Sequence, residues 1–414
     1  MSAEEQQGTN ILLPKARIAV FSEDDDTLSS VQSLQDDWRF ARVEISVVRG
    51  NVENAILTYQ SQPSPDLLII QSEEINDGFT GRLGELSGYC EEGTSAIIVG
   101  PVNDVYLYRQ MIEMGVSDYL VKPIKPEVIS QVIAKALITR LGVSDSALIA
   151  FIGAKGGVGT SVMAQISAGV CSKKLGQKTI LVDAGGGWSS ASVGLGFDPS
   201  GSLSEVARSA ASKSDDHIKR MIQQLDEKLS VLATGADAML DPSISGEQVE
   251  SILDNMMVKY PVVLVDLSCS PASVRKAVLS RATQVVTVSE PTVTSLRFCR
   301  TLLKEISDVR GGKSDAVSLL INKTGMAKAF EMGKADIEDA LEFNVSATID
   351  NLPTVFLKHE SEIFDVVTDK DGAAVLGGLL PILNKKLSGG EGDASKDDKN
   401  SGLLGGFLNK LSAK

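Results

Sequence analysis

"IAFIGAKGGVGTSVMAQ", residues 149–165, carries the strongest structural signal in this chain. An apolar run leads into a glycine-rich turn, and a helix containing Ala and Ser follows. In such a strand-turn-helix, successive backbone N–H groups at Gly156, Gly157, Val158 and Gly159 aim at phosphate oxygens, and the helix dipole adds to the attraction. Glycine is required because a larger side chain would keep the backbone from approaching the phosphate. Ser161 supplies the hydroxyl expected on Mg2+. The position before it, where a phosphate loop ordinarily carries lysine, is Thr160.

Two downstream strands strengthen this reading. "TILVD" ends in Asp183 and "VVLVD" in Asp266. A strand-terminal aspartate lies at the carboxyl edge of a parallel sheet, where ligands of such folds bind. Asp266 is expected to hold the metal, directly or through water. Asn322 and Lys323, closing "SLLINK", reach the same edge and are candidates for contact with a nucleotide base. Lys155 and, more weakly, Asp183 are the catalytic candidates.

Outward from the loop, the strands "ALIAFIG", "TILVDA", "LSVLAT", "VVLVDLS", "QVVTVS" and "AVSLLIN" are rich in Val, Ile and Leu without alternation, as expected where helices cover both sheet faces. An earlier series, "RIAVF", "DLLII", "SAIIVG" and "DYLV", reads the same way. The fold class is therefore α/β, with two doubly wound parallel-sheet domains. The expected divisions are a flexible N-terminus over 1–14, a first domain over 15–141, a linker over 142–147 and a nucleotide-binding domain over 148–387. A disordered linker spans 388–401 and a short tail 402–414. In the tail, Leu403, Leu404, Phe407, Leu408 and Leu411 share one helical face, which fits docking on its own domain or a peripheral membrane or partner contact.

The chain of 414 residues has a formal net charge of −14 and a pI near 4.8, which argues against a surface that neutralises nucleic-acid phosphates. No basic segment followed by an apolar core opens the sequence, and no run approaches the roughly 18 apolar residues of a spanning helix. The location expected is cytoplasmic. Cys90, Cys171, Cys269 and Cys299 are scattered, without disulfide or metal-ligand spacing, and His217 and His359 are isolated.

From Ala147 to Leu387 the sequence resembles the ParA/MinD superfamily of deviant Walker ATPases, whose signature "KGGVGK[ST]" carries an early loop lysine. Lys155 matches that lysine, Gly156 to Gly159 the turn and Ser161 the hydroxyl. The resemblance implies ATP and Mg2+ as cofactors, with nucleotide sandwiched in a homodimer and Lys155 reaching the phosphates of the opposite subunit. It also implies that Asn322 contacts adenine. Three positions depart: Thr160 replaces the loop lysine, Ala154 the opening glycine, and Gly185 a second aspartate that helps position the attacking water. A slow switch, with weak ATPase activity at most, is expected.

The first domain resembles a response-regulator receiver through "RIAVFSEDDD", "PDLLIIQ" and "GVSDYLVKPI". Gln71 stands at the phosphoacceptor position, Ser22 and Glu23 at the metal-binding acidic pair and Gly100 at the switch hydroxyl, while Lys122 and Pro123 match. A glutamine amide cannot form the acyl phosphate that a carboxylate forms.

Together the halves resemble the CpaE/TadZ family of tight-adherence (Flp, type IVb) pilus assembly proteins. That resemblance implies localisation and assembly of the pilus secretion machinery, at a cell pole and peripheral to the inner membrane. The partners it implies are the pilus secretion ATPase, other assembly proteins and a polar landmark. The alternatives are an actively cycling ParA/MinD-like positioning ATPase and a nucleotide-free scaffold.

Overall fold

The structure, a computed structural model, describes residues 12–91, 93–140, 146–185, 191–198, 201–212, 215–235, 244–312 and 316–387. The expected linker at 388–401 and tail at 402–414 lie outside these residues.

Five parallel strands form the first sheet: β1 (Ala16–Ser22), β2 (Val43–Arg49), β3 (Leu67–Gln71), β4 (Ser95–Gly100) and β5 (Asp118–Val121), in the order β2-β1-β3-β4-β5. The central β3 is buried at every residue. The edge strand β2 is only half-buried, with polar Glu44 and Ser46 between its apolar residues. A search for uninterrupted apolar runs passes over it for that reason, because an edge strand alternates where a central one does not.

The second sheet has eight strands in the order β13-β12-β11-β6-β10-β7-β9-β8. They are β6 (Ala147–Gly153), β7 (Thr179–Asp183), β8 (Gln223–Gln224), β9 (Leu229–Leu232), β10 (Val262–Asp266), β11 (Gln284–Ser289), β12 (Val317–Thr324) and β13 (Val345–Asp350). All pairings are parallel except that of β8 with β9. Every residue of β7, β10 and β11 is buried, and each such Val, Ile or Leu contributes roughly 1.5–3 kcal/mol on leaving water. β13 falls outside the continuous-run pattern, since Ser346 and Asp350 are exposed.

The topology places the ligand edge. From β6 the chain passes to β7 on one side, beyond β10, and later to β11, β12 and β13 on the other. Crossovers that diverge around one strand leave a crevice at its carboxyl end, and the loop 154–159 leaves β6 there. Register brings the two strand-ending aspartates level, with Asp266 opposite Asp183 and Phe151 on its two flanks.

One continuous apolar cluster runs through both sheets. It joins Leu13, Leu34, Phe40 and Leu137 to Met257, Tyr260, Leu279 and Ala282. Residues 12–14 differ from the flexible N-terminus expected of them: Leu13 is fully buried, and the Leu12 N–H donates to the Ser280 carbonyl at 3.0 Å. A polar seam accompanies the cluster. Arg42 pairs with Glu250 at 2.7 Å and Arg281 with Asp254 at 2.7 Å, and Arg281 Nη1 also donates to the Glu250 carbonyl at 3.2 Å. Arg281 and Glu250 are both buried, so removing one partner would leave an uncompensated charge out of water. Gly311 lies against Trp38. Its φ is +67°, and a Cβ there would stand 2.3 Å from Trp38 Nε1.

Candidate functional site

At the edge of the second sheet, the loop bends through left-handed backbone at Gly157 (φ 81°) and Gly159 (φ 92°). Gly159 is the N-cap of the helix Thr160–Gly169, and no side chain caps the helix. The first backbone N–H groups of that helix are therefore left for a ligand. A Cβ on Gly156 or Gly157 would meet nothing within 4 Å, whereas one on Gly159 would stand 2.6 Å from Asn322 Nδ2.

The loop is held from below. The Ala154 N–H donates to the Val288 carbonyl at 2.9 Å, and Asn322 Nδ2 donates to the Val158 carbonyl at 2.8 Å. Lys323 Nζ donates to the Gly157 carbonyl at 2.5 Å. Asn322 and Lys323, read from sequence as base contacts, are thus engaged here with the loop backbone. Thr160 is buried with its hydroxyl turned toward the end of β6, where a Cβ on Gly153 would meet Oγ1 at 2.3 Å.

Lys155 and Asp266 share a cavity of about 640 Å³ with Gly156, Gly157, Gly159, Thr160 and Ser161. Val158, Asp183, Asn322 and Lys323 are not in its lining. Val158 is buried in the core, and Asp183 Oδ1 accepts from the Gly185 N–H at 2.9 Å while the Asp183 carbonyl accepts from the Thr234 hydroxyl. Asp266 is 2% exposed; burial raises its pKa, against hydrogen bonds from Ser161 and Ser268 that pull it down. Its Oδ1 accepts from the Ser268 N–H at 2.9 Å.

A buried carboxylate hydrogen-bonded to a hydroxyl in the first turn of the helix, beside open helix N–H groups, is a donor set that suits a hard divalent cation. Ser161 and Asp266 would hold such a cation, and the turn from Gly156 to Gly159 the phosphates. On those grounds the residues present fit the phosphates of a nucleotide together with Mg2+.

Three residues outside the sequence reading belong to this edge. Glu290, just beyond β11, pairs with Lys155 at 2.8 Å and with Lys323 at 2.9 Å. Burial alone would raise the Glu290 carboxyl, but the two ammonium groups outweigh it and hold the pKa below the ordinary value. Its place just past a buried parallel strand was the available signal, the same one that marks Asp266. Arg275, from the helix Ala272–Arg281, and Glu305, from the helix Val293–Val309, line the cavity as well. Helix positions so far along the chain carry no such signal.

At the carboxyl edge of the first sheet, Gln71 Oε1 accepts from the Ser22 hydroxyl and the Glu23 N–H, both at 3.1 Å, and Nε2 donates to Glu73 at 2.9 Å. Lys122 Nζ pairs with Asp24 at 2.9 Å and with Glu73 at 2.6 Å. Burial tends to raise the Asp24 carboxyl, and the bonds from Thr27 and Lys122 bring it below its usual value. A cavity of about 570 Å³ opens beside Gln71, with Glu23, Glu53, Glu73 and Glu74 in its wall against one cation, Arg82. Among the described residues no group of three or more His, Cys, Asp and Glu side chains is placed to hold a metal ion.

No family model matches the chain, and no curated protein does. Among solved structures, it is 32% identical to the CpaE2 pilus assembly protein of Sinorhizobium meliloti, over 29% of this chain and 98% of that one, with a TM-score of 0.29. The chain belongs to the CpaE/TadZ family. The pilus assembly protein CpaE of Caulobacter crescentus is 28% identical, over 30% of this chain and 96% of that one, also at 0.29. A ParA family ATPase from Chlorobium tepidum is 19% identical over 57% of this chain and 99% of its own, with a TM-score of 0.51. That likeness shows the fold, a ParA/MinD-like parallel sheet in this CpaE/TadZ chain. No helix among the described residues is long and apolar enough to cross a membrane.

Proposed function

We propose that this CpaE/TadZ-family chain is a nucleotide-binding localisation and assembly factor for the tight-adherence pilus secretion machinery, working as an ATP-dependent dimeric switch with slow or absent hydrolysis. The observation that carries the proposal is the shared cavity of the glycine turn, Lys155, Ser161 and Asp266. Its setting is a ParA/MinD-like sheet in a family whose solved relatives are described as pilus assembly proteins. Bound Mg2+ would supply positive charge against the phosphates. The chain's part is to present N–H donors from Gly156 to Gly159 and to hold Ser161 and Asp266 together.

Lys155 is engaged by Glu290 of its own chain. In a dimer it would exchange that carboxylate for phosphate oxygens of the opposite subunit, which couples nucleotide binding to assembly. With Gly185 where a water-positioning aspartate would stand, the switch should persist rather than turn over. The receiver-like first domain serves as an interaction domain, and the output is recruitment of the secretion ATPase and assembly partners at a pole, peripheral to the membrane.

Solution mass and nucleotide retention with and without MgATP test this. Wild type should bind and dimerise, Lys155→Ala should bind without dimerising, and Asp266→Ala should lose Mg2+-dependent binding about a hundredfold, near 2.7 kcal/mol. Failure of wild type to retain nucleotide would leave the scaffold reading, which Thr160 and the Glu290 pairing of both lysines favour. Steady turnover abolished by Asp266→Ala would favour the cycling ATPase.

A further inference from the structure

The nucleotide cavity lacks the lysine that would stand at Thr160, and the structure assigns its missing charge to Arg275: we propose that this guanidinium neutralises the terminal phosphates within the same subunit. The inference rests on the nucleotide reading above and adds to it a residue that no part of the loop pattern marks.

Three observations carry it. First, Arg275 lines the same cavity as Thr160, Ser161 and Asp266. Second, the charge around the cavity is unevenly committed. Lys155 and Lys323 both pair with Glu290, and Lys323 is further held on the Gly157 carbonyl. Among the described residues no carboxylate pairs with Arg275; Nη1 donates to the Ser270 carbonyl at 3.0 Å, which leaves the other guanidinium donors for a ligand. Glu305 shares the wall, so the lining carries two carboxylates, Asp266 and Glu305, against Lys155 and Arg275. A divalent cation at Asp266 would offset the first of these. Arg275 is then the cation left to balance phosphate without breaking an ion pair.

Third, Arg275 is anchored rather than trailing. Its helix starts after the turn that follows Asp266, in which Cys269 takes a left-handed φ of 58°. Val274, Ala277 and Val278 bury the inner face of that helix, and Arg281 fixes its far end on Asp254. Arg275 and its neighbour Lys276 are exposed, but only Arg275 is in the cavity lining. A guanidinium stays charged at any working pH and offers a planar fork of donors that matches two phosphate oxygens. An ammonium reaching up from the loop would act on the β- and γ-phosphates. Arg275 therefore serves as a specificity residue for the triphosphate, approaching from the Asp266 turn instead of from the loop.

Calorimetric titration of MgATP and MgADP into wild type, Arg275→Ala, Arg275→Lys and Lys276→Ala tests the assignment, with circular dichroism melts to confirm that each variant folds. Arg275→Ala should bind MgATP about tenfold more weakly while MgADP affinity changes about twofold or less. Arg275→Lys should restore part of the loss, and Lys276→Ala should match wild type. Unchanged MgATP affinity in Arg275→Ala, or an equal loss for both nucleotides, overturns the assignment while leaving the nucleotide reading standing. Wild type that binds neither nucleotide overturns both.

Discussion

Two parallel sheets in one chain end in carboxyl edges built on the same plan, one lined by an excess of carboxylates and the other balanced in charge. At the first edge Gln71, Ser22, Asp24, Glu73 and Lys122 satisfy one another, and the cavity beside them has four glutamates in its wall. At the second, backbone N–H groups open onto a cavity of similar size in which carboxylates and cations are balanced two to two. A phosphate approaching the first edge would meet like charge and a lysine already paired twice. At the second it would meet helix N–H donors and Arg275, with Asp266 and Ser161 placed to hold a divalent cation beside it. A parallel-sheet edge thus offers a location, while its side chains decide whether an anion can use it.

Three substitutions test this contrast. Gly159→Ala has the largest expected effect, because φ near 92° disfavours any side chain and the new Cβ would collide with Asn322. It should cost about 2 kcal/mol in chemical denaturation and abolish nucleotide retention, since the turn cannot reform around Asn322. Retention at the wild-type level would mean that the turn is not the anion cradle.

Glu290→Gln should be smaller and pH-dependent. Its ion pairs stabilise the fold above the ordinary glutamate value of 4.5 and are lost as pH falls through the depressed value in the folded chain. The acid limb of a stability-versus-pH curve should therefore be shallower in the variant, with a loss of about 1 kcal/mol at neutral pH. Freed from the carboxylate, Lys155 should also bind phosphate more readily, seen as tighter MgATP binding. An acid limb identical to wild type would show that the pairing stores no stability.

Lys122→Ala should have the least effect. Its two ion pairs are partly exposed and together worth about 1 kcal/mol or less. MgATP binding should be untouched, and a change there would show that the two edges communicate across the Arg42–Glu250–Arg281 seam.

The α/β class, the central strands of both sheets and the glycine turn at the edge of the second were legible in the residues alone. Long runs of Val, Ile and Leu have no alternative to burial on both faces, and the glycine turn between strand and helix allows few backbone paths. β2 and β13 escaped because a partly exposed strand carries polar residues that break the run. Leu13 escaped because burial of a short apolar run outside any strand or helix depends on a distant surface being there to receive it. Which charges meet depends on the folded chain. Glu290 reaches Lys155 and Lys323, Arg281 reaches Asp254, and Arg275 comes to a cavity whose loop lies far back in the chain. Such encounters follow from strand order and helix packing, and electrostatic partners at that separation leave no periodicity in a sequence from which they could be read.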